Sequence, residues 1–335
     1  MFRQPIDRLR GLFEASDLAI DLGTANTRIY ALGRGIVAEE SSIVEWTALN
    51  TESSGPALTG RNRDRAPVMP VRGGVVVDVP AAAALLRPMI SRSQRFGLRG
   101  YRGIVCAPTD ADRGERDALV EAAGQAGVSV LDIVPEPLAA ALGGGLNIAS
   151  PYAQMIVDIG SGVTDIAVIR SRRIVFAAAI RTACGDFHAA VTRAVAARHG
   201  VRLHAGEAER LVAAAGALRR HKPACVDAAT GFGADGCETA VRVHDWELRE
   251  SIDPFIDTIV AKISDVLRNL PEMTAVEVIE DGIWLTGGGA CIDGMVERIA
   301  GGTTLDGRTV RDPLHAVIHG AALMLAGTVH NSRPQ

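Results

Sequence analysis

The chain has 335 residues, 47% of them hydrophobic and 22% charged, with a formal net charge of −4. That length exceeds one ordinary core and suits two domains of about 150 residues each. The balance excludes a largely disordered chain and the global basic field of a nucleic-acid binder, so no nucleic-acid partner is expected. No apolar run reaches the roughly 18 residues that span a bilayer, and the N-terminus has no secretory pattern. The five cysteines are scattered without a C-x-x-C pair. They read as reduced residues of a cytosolic protein, not as a disulfide framework or a zinc site.

Residues 1–15 precede the first strand. At helical spacing Phe2, Ile6, Leu9 and Phe13 fall within an arc of about 60°, flanked by Arg3, Arg8 and Arg10. A short basic amphipathic helix of this kind suits a lipid interface. The same spacing also allows a helix packed on the protein's own core, or a tail. Asp17–Leu32 reads as strand, turn, strand, and residues 49–67 as a loop or small insertion. Ala81–Ser91 is a helix. Phe96 and Leu98, set among arginines, form a second membrane-facing candidate, with an ordinary loop and a buried Phe as the alternative. Gly103–Ala107 is a buried strand, Arg113–Ala126 a helix, Val128–Val134 a strand and Pro137–Leu142 a helix. Met155–Ile159 and Asp165–Ile169 form a second strand–turn–strand. Phe187–His199 and Glu207–Leu218 are helices, residues 221–240 are loop-like, and Ser251–Leu270 is a long helix. Gly282–Leu285 is a strand running into a glycine turn. Helices interleaved with short strands give an α/β architecture.

One internal echo stands out. Asp21-Leu-Gly-Thr-Ala-Asn-Thr27 and Asp158-Ile-Gly-Ser-Gly-Val-Thr164 are both Asp-apolar-Gly turns between β-prone runs, half a chain apart. The period is that of a domain repeat and implies two similar lobes with facing turns. Tight Gly/Thr turns aim successive backbone N–H groups into one concavity suited to phosphate. The aspartates Asp21 and Asp158 suit a hydrated Mg²⁺, reached through water. A third turn, Thr286-Gly-Gly-Gly-Ala290, could pass beneath a ribose and α-phosphate. Neither a G-x-x-x-x-G-K-[ST] loop nor a Rossmann G-x-G-x-x-G unit is present.

On these residues the chain resembles the actin/Hsp70/hexokinase superfamily and, within it, the MreB/Mbl family. Ala19–Thr27 looks like the family's phosphate-1 segment, Val134–Ala141 like its E-P-x-A-A-A helix start, Asp158–Asp165 like phosphate-2, and Leu285–Ala290 like the adenosine motif. The resemblance implies an actin-like ATPase fold with two similar lobes around a nucleotide cleft and reduced outer subdomains. The lobes would span 16–150, with a short insertion about 47–75, and 151–335, with an outer subdomain about 205–250. It implies ATP and Mg²⁺ as cofactors, filaments formed with itself or with a full-length paralogue, and membrane cell-wall-synthesis proteins as partners. It places the protein in the cytoplasm on the anionic inner face of the plasma membrane, organising wall synthesis and cell or spore shape.

Residue by residue, the nucleotide-binding set it implies is Asp21, Gly23, Thr24, Ala25, Asn26 and Thr27 in the first turn. Glu136, Asp158, Gly160, Ser161, Gly162, Val163 and Thr164 follow. Gly185, Asp186 and Glu207 lie on the adenosine side, with Gly287, Gly288, Gly289 and Ala290 in the third turn. Glu115 falls on the family's catalytic, water-positioning glutamate, three residues after a candidate N-cap, Asp112. The second turn departs from the family's D-I-G-G-G-T-T-E at Ser161, Val163 and Asp165. Val163 lacks a hydroxyl that the family is thought to use near the attacking water. A slow ATPase is therefore the expectation, with a non-polymerising, weakly hydrolysing scaffold as the alternative. A small-molecule kinase on the same fold would need a catalytic Asp and a sugar pocket, for which no motif is present.

Overall fold

The computed structural model describes residues 16–45, 67–93, 100–214 and 226–332. The chain divides into two units, one reaching to Pro135 and taken up again from Ile318, the other Glu136–Val317.

In the first unit β1 (Ser16–Leu22), β2 (Asn26–Ala31) and β3 (Gly35–Ser41) form an antiparallel meander. A short hairpin follows, β4 (Val71–Arg72) and β5 (Val75–Val76), then helix α1 (Val79–Ser91). Strand β6 (Tyr101–Ala107) adds to β1 in parallel. Helix α2 (Arg113–Gln125) crosses over, and β7 (Val128–Pro135) adds to β6, again in parallel. The sheet order is β3-β2-β1-β6-β7. Leu18, Ala19 and Ile20 are all fully buried, as a continuous apolar run must be in a strand covered on both faces. Asp78 starts α1 by accepting the Ala81 N–H at 2.9 Å. The apolar face of α1, including Leu86, Met89 and Ile90, packs into the same core.

The second unit repeats the plan. Helix α3 (Glu136–Gly143) precedes a meander of β8 (Gln154–Ile159), β9 (Thr164–Arg170) and β10 (Arg173–Ile180). Next come helix α4 (Cys184–His199), strand β11 (Arg202–Leu203), helix α5 (Glu207–Ala214) and strands β12 (Val226–Phe232) and β13 (Glu238–His244). Strands β11, β12 and β13 form a separate small sheet. Helices α6 (Asp245–Asn269) and α7 (Glu272–Asp281) lead to β14 (Ile283–Thr286), a 3₁₀ turn at Gly288–Cys291, helix α8 (Met295–Thr303) and β15 (Gly307–Thr309). β14 joins β8 and β15 joins β14, both in parallel, giving the order β10-β9-β8-β14-β15. Helix α9 (Ala316–Ser332) carries the chain back to the first unit. The half-chain echo in the sequence is thus a repeat of topology, strand for strand.

Several expectations change. Residues 221–240 are not a loop where described: β12 and β13 pair antiparallel over seven residue pairs from Val226↔His244 to Phe232↔Glu238. Gly231 lies in β12 opposite Thr239, and the turn that follows is closed by the Gly233 N–H on the Cys237 carbonyl. Helix α6 starts at Asp245, not Ser251, because the Glu247 carboxylate accepts the His244 N–H at 3.0 Å and caps it. Helix α3 goes with the second unit, where it packs on Ile156 and Ala167 of the second sheet. Among the described residues no helix is long and apolar enough to cross a membrane.

Candidate functional site

The first turn is closed by the Gly23 N–H on the Asn26 carbonyl at 3.1 Å, the second by the Gly160 N–H on the Val163 carbonyl at 3.0 Å. These are equivalent positions of the two repeats. After each turn comes a fully buried threonine whose hydroxyl reaches the chain just past the third strand. Thr27 Oγ1 lies 2.8 Å from Ser42 Oγ, and Thr164 Oγ1 donates to the Thr182 carbonyl at 2.7 Å.

The turn carbonyls are held inward. Ser42 donates its hydroxyl to the Gly23 carbonyl at 2.7 Å and its N–H to the Ala25 carbonyl at 2.8 Å. In the second unit the N–H groups of Cys184 and Gly185, opening α4, donate to the Gly160 and Ser161 carbonyls at 3.0 and 2.9 Å. In a trans peptide the following N–H points opposite to the carbonyl. The amides of Thr24, Ser161 and Gly162 are therefore turned away from these braces, the arrangement of an anion nest.

Asp21 and Asp158 end the strands that feed the turns, each more than nine-tenths buried. Arg28, the cross-strand partner of Asp21, approaches it to 3.5 Å and also donates to Glu39. The equivalent cross-strand partner of Asp158 is Asp165. The third turn lies against the second. Thr286 is opposite Asp158 in the β14–β8 register, and the Gly287 N–H donates to the Pro313 carbonyl at 3.0 Å. A Cβ on Gly287 would stand 2.4 Å from Asp158 Oδ1, and one on Gly289 2.4 Å from Ile159 Cγ2. On Gly288 it would meet nothing nearer than Leu314 Cδ2 at 4.0 Å, so the fold itself does not require a glycine there.

Asp186 accepts the Ala183 N–H at 2.9 Å and so caps α4, which places Gly185 and Asp186 directly behind the second turn. Cys184 is buried beside Asp158; burial first, and then that carboxylate, push its thiol up to about 12. Val163 is buried, Ala290 ends the third turn, and Glu136 opens α3. Glu207 is held by Arg210 at 3.1 Å and by the Thr230 N–H at 3.0 Å. The Arg210 hydrogen bond, then that amide, hold its carboxyl below the ordinary range. Its visible role is to tie α5 to β12.

Glu115 closes a reciprocal cap at the start of α2. It accepts the Asp112 N–H at 2.9 Å, and Asp112 accepts the Glu115 N–H at 2.8 Å. It also lines a small cavity of about 10 Å³ with Leu22, Gly74, Cys106 and Pro108. Its second carboxylate oxygen has no partner among the described residues. The membrane candidates Phe2, Ile6, Leu9, Phe13, Phe96 and Leu98 lie outside the described residues. Sequence reasoning missed Ser42, which braces the first turn through its hydroxyl and its N–H, and Gly74 and Pro313, which brace the turns through backbone groups; none carries a local motif.

Two units built on the same five-stranded plan, each with a Gly-closed turn between its first two strands, define an actin-like ATPase fold. The family model described as MreB/Mbl protein matches residues 15–333, and the chain belongs to that family of cell-shape-determining, actin-like proteins. The cell shape-determining protein MreB of Pasteurella multocida is 31% identical over 331 residues, covering 93% of each chain. The crystal structure of MreB5 of Spiroplasma citri bound to ADP matches with a TM-score of 0.83 at 25% identity, covering 95% of this chain and 98% of that one. A double helical filament of MamK matches with a TM-score of 0.74 at 18% identity over 96% and 100% of the two chains.

Proposed function

We propose that this chain binds ATP with Mg²⁺ and assembles, with itself or with a paralogue, into filaments on the inner face of the plasma membrane, where they organise wall synthesis and shape. The observation that carries the nucleotide reading is the repeated turn, with inward-held carbonyls and outward amides at Thr24, Ser161 and Gly162. A family relative with ADP bound supports it. The residues present fit the group. Outward amides suit phosphate oxygens, Gly288 leaves open space beside the third turn, and the buried carboxylates Asp21 and Asp158 would hold the cation through water. ATP supplies the phosphoanhydride, and Mg²⁺ offsets its charge.

Glu115 positions the attacking water. The reciprocal cap holds one carboxylate oxygen, which leaves the other to accept a hydrogen bond from water. Val163 lacks the hydroxyl that the family resemblance implies at its position, so turnover is slow. The basic amphipathic segment Met1–Phe13, with Phe96 and Leu98, provides the lipid contact.

The test is pelleting of the purified chain with Mg·ATP, with and without anionic liposomes, while phosphate release is followed. Filaments that bind liposomes and release phosphate slowly are expected. Nucleotide binding without polymer or phosphate would leave the scaffold in their place.

A further inference from the structure

Helix α7 carries a side that its own unit leaves uncovered. Thr274 and Val278 are buried on the sheet side, and Glu277 is held by the Ala153 N–H at 2.8 Å and by Arg170. On the opposite side Met273, Val276 and Ile279, at i, i+3 and i+6, are 70%, 42% and 56% exposed. Tyr152, next to Ala153, is 67% exposed. Exposed Glu272 and Glu280 stand at its two ends. Single exposed apolar residues are ordinary, but a contiguous stripe with a charged rim is the pattern of a docking surface.

The rim selects the occupant. An apolar stripe of two helical turns between two carboxylates calls for an amphipathic segment with basic flanks. The chain contains such a segment outside the described residues. Met1–Phe13 has Phe2, Ile6, Leu9 and Phe13 at helical spacing and Arg3, Arg8 and Arg10 against a single acid, Asp7. The occupant is that segment of a second copy, which brings both its apolar residues and its arginines to the stripe. We propose that, in the absence of lipid, residues 1–13 of one copy dock on the α7 stripe of another, with their arginines against Glu272 and Glu280. The inference goes beyond the membrane reading and does not depend on it. Both use the same apolar residues, so lipid and α7 compete for one segment.

The experiment adds a fluorescent peptide of residues 1–13 to the full-length protein without lipid and follows its anisotropy. Saturable binding is expected, at least tenfold weaker for the double variant Val276→Glu, Ile279→Glu. Both substitutions are at exposed positions, and unchanged circular dichroism and melting would show the variant folded. A peptide with Arg3, Arg8 and Arg10 replaced by Glu should lose binding by a similar factor. No binding, or equal binding to wild type and variant, would overturn the proposal. Loss of liposome co-sedimentation by the double variant would overturn it as well, by making α7 a lipid surface. The membrane reading stands or falls separately, on liposome binding by the wild-type chain.

Discussion

Thr24 Oγ1 accepts the Gly74 N–H at 2.8 Å, tying the first turn to the β4–β5 hairpin across fifty residues of chain. The contact sits beside the cavity that Gly74 and Glu115 both line. It takes one lone pair of the hydroxyl and leaves the O–H hydrogen to donate elsewhere. Thr24→Val keeps the shape and removes the acceptor. Leaving that amide unpaired should cost about 1–2 kcal/mol. Thr24→Ser should restore the loss. Chemical unfolding of both variants, with nucleotide affinity in parallel, checks this. An unchanged midpoint for the valine variant would mean that the bond contributes nothing.

Glu115 has two roles that substitutions can separate. Glutamine can still reach back to the Asp112 N–H, as glutamate does. Glu115→Gln should therefore keep the helix start and the melting temperature, while phosphate release falls at least tenfold. Glu115→Ala should lose both, with a stability cost of about 0.5–1 kcal/mol. Equal release by wild type and the glutamine variant would remove Glu115 from the hydrolytic step.

Much of this was legible in the chain because it is written in backbone geometry. The turns at Gly23 and Gly160 show themselves through Asp-apolar-Gly spacing, and buried strands such as Leu18–Ile20 through continuous apolar runs. The third strands of the meanders were passed over for different reasons. β3 is a half-exposed edge strand whose apolar start gives way to Glu39, Glu40 and Ser41, whereas β10 does carry an apolar run, Ile174–Ile180, that marks a strand and was not read as one. The β12–β13 hairpin was hidden by the Gly-Phe-Gly-Ala-Asp-Gly sequence at its end, which has loop composition although the paired strands on either side do not. Ser42 was invisible for a different reason. Its hydroxyl and amide serve carbonyls of the first turn, and nothing in its neighbours along the chain marks it.

Glu277 fixes α7 to the loop before β8 and makes a pH prediction. The Ala153 N–H lowers its carboxyl pKa from the ordinary value, burial opposes this, and Arg170 adds to the lowering. A group whose folded pKa is depressed contributes stability above its unfolded pKa and loses it as pH falls through the folded one. The contribution should thus be complete at pH 7 and fade on acidification below about pH 4.5. Glu277→Gln should lower the urea midpoint at pH 7, and the gap to wild type should close as pH drops below 4. A gap that stays constant with pH would show that shape, not charge, is what α7 needs there.

Gly287 and Gly288 are neighbours with opposite reasons for lacking a side chain. Gly287 has a φ of +78°, and a Cβ there would meet Asp158 Oδ1 at 2.4 Å and the Ile159 carbonyl oxygen at 2.5 Å. Both contacts belong to the core of the second sheet and cannot yield cheaply. Gly287→Ala should cost at least about 2 kcal/mol from the backbone conformation alone, before the clash is counted. Gly288 faces open space, so Gly288→Ala should leave the melting temperature within about 1 °C of wild type, a surface change of a few tenths of a kcal/mol. If a nucleotide lies against this turn, the added methyl occupies its place, and affinity for fluorescent ATP should fall at least tenfold with the fold intact. Calorimetry and titration of the two variants side by side distinguish the cases. Undiminished affinity for a well-folded Gly288→Ala would move the nucleotide away from the third turn, while leaving Gly287 explained by packing alone.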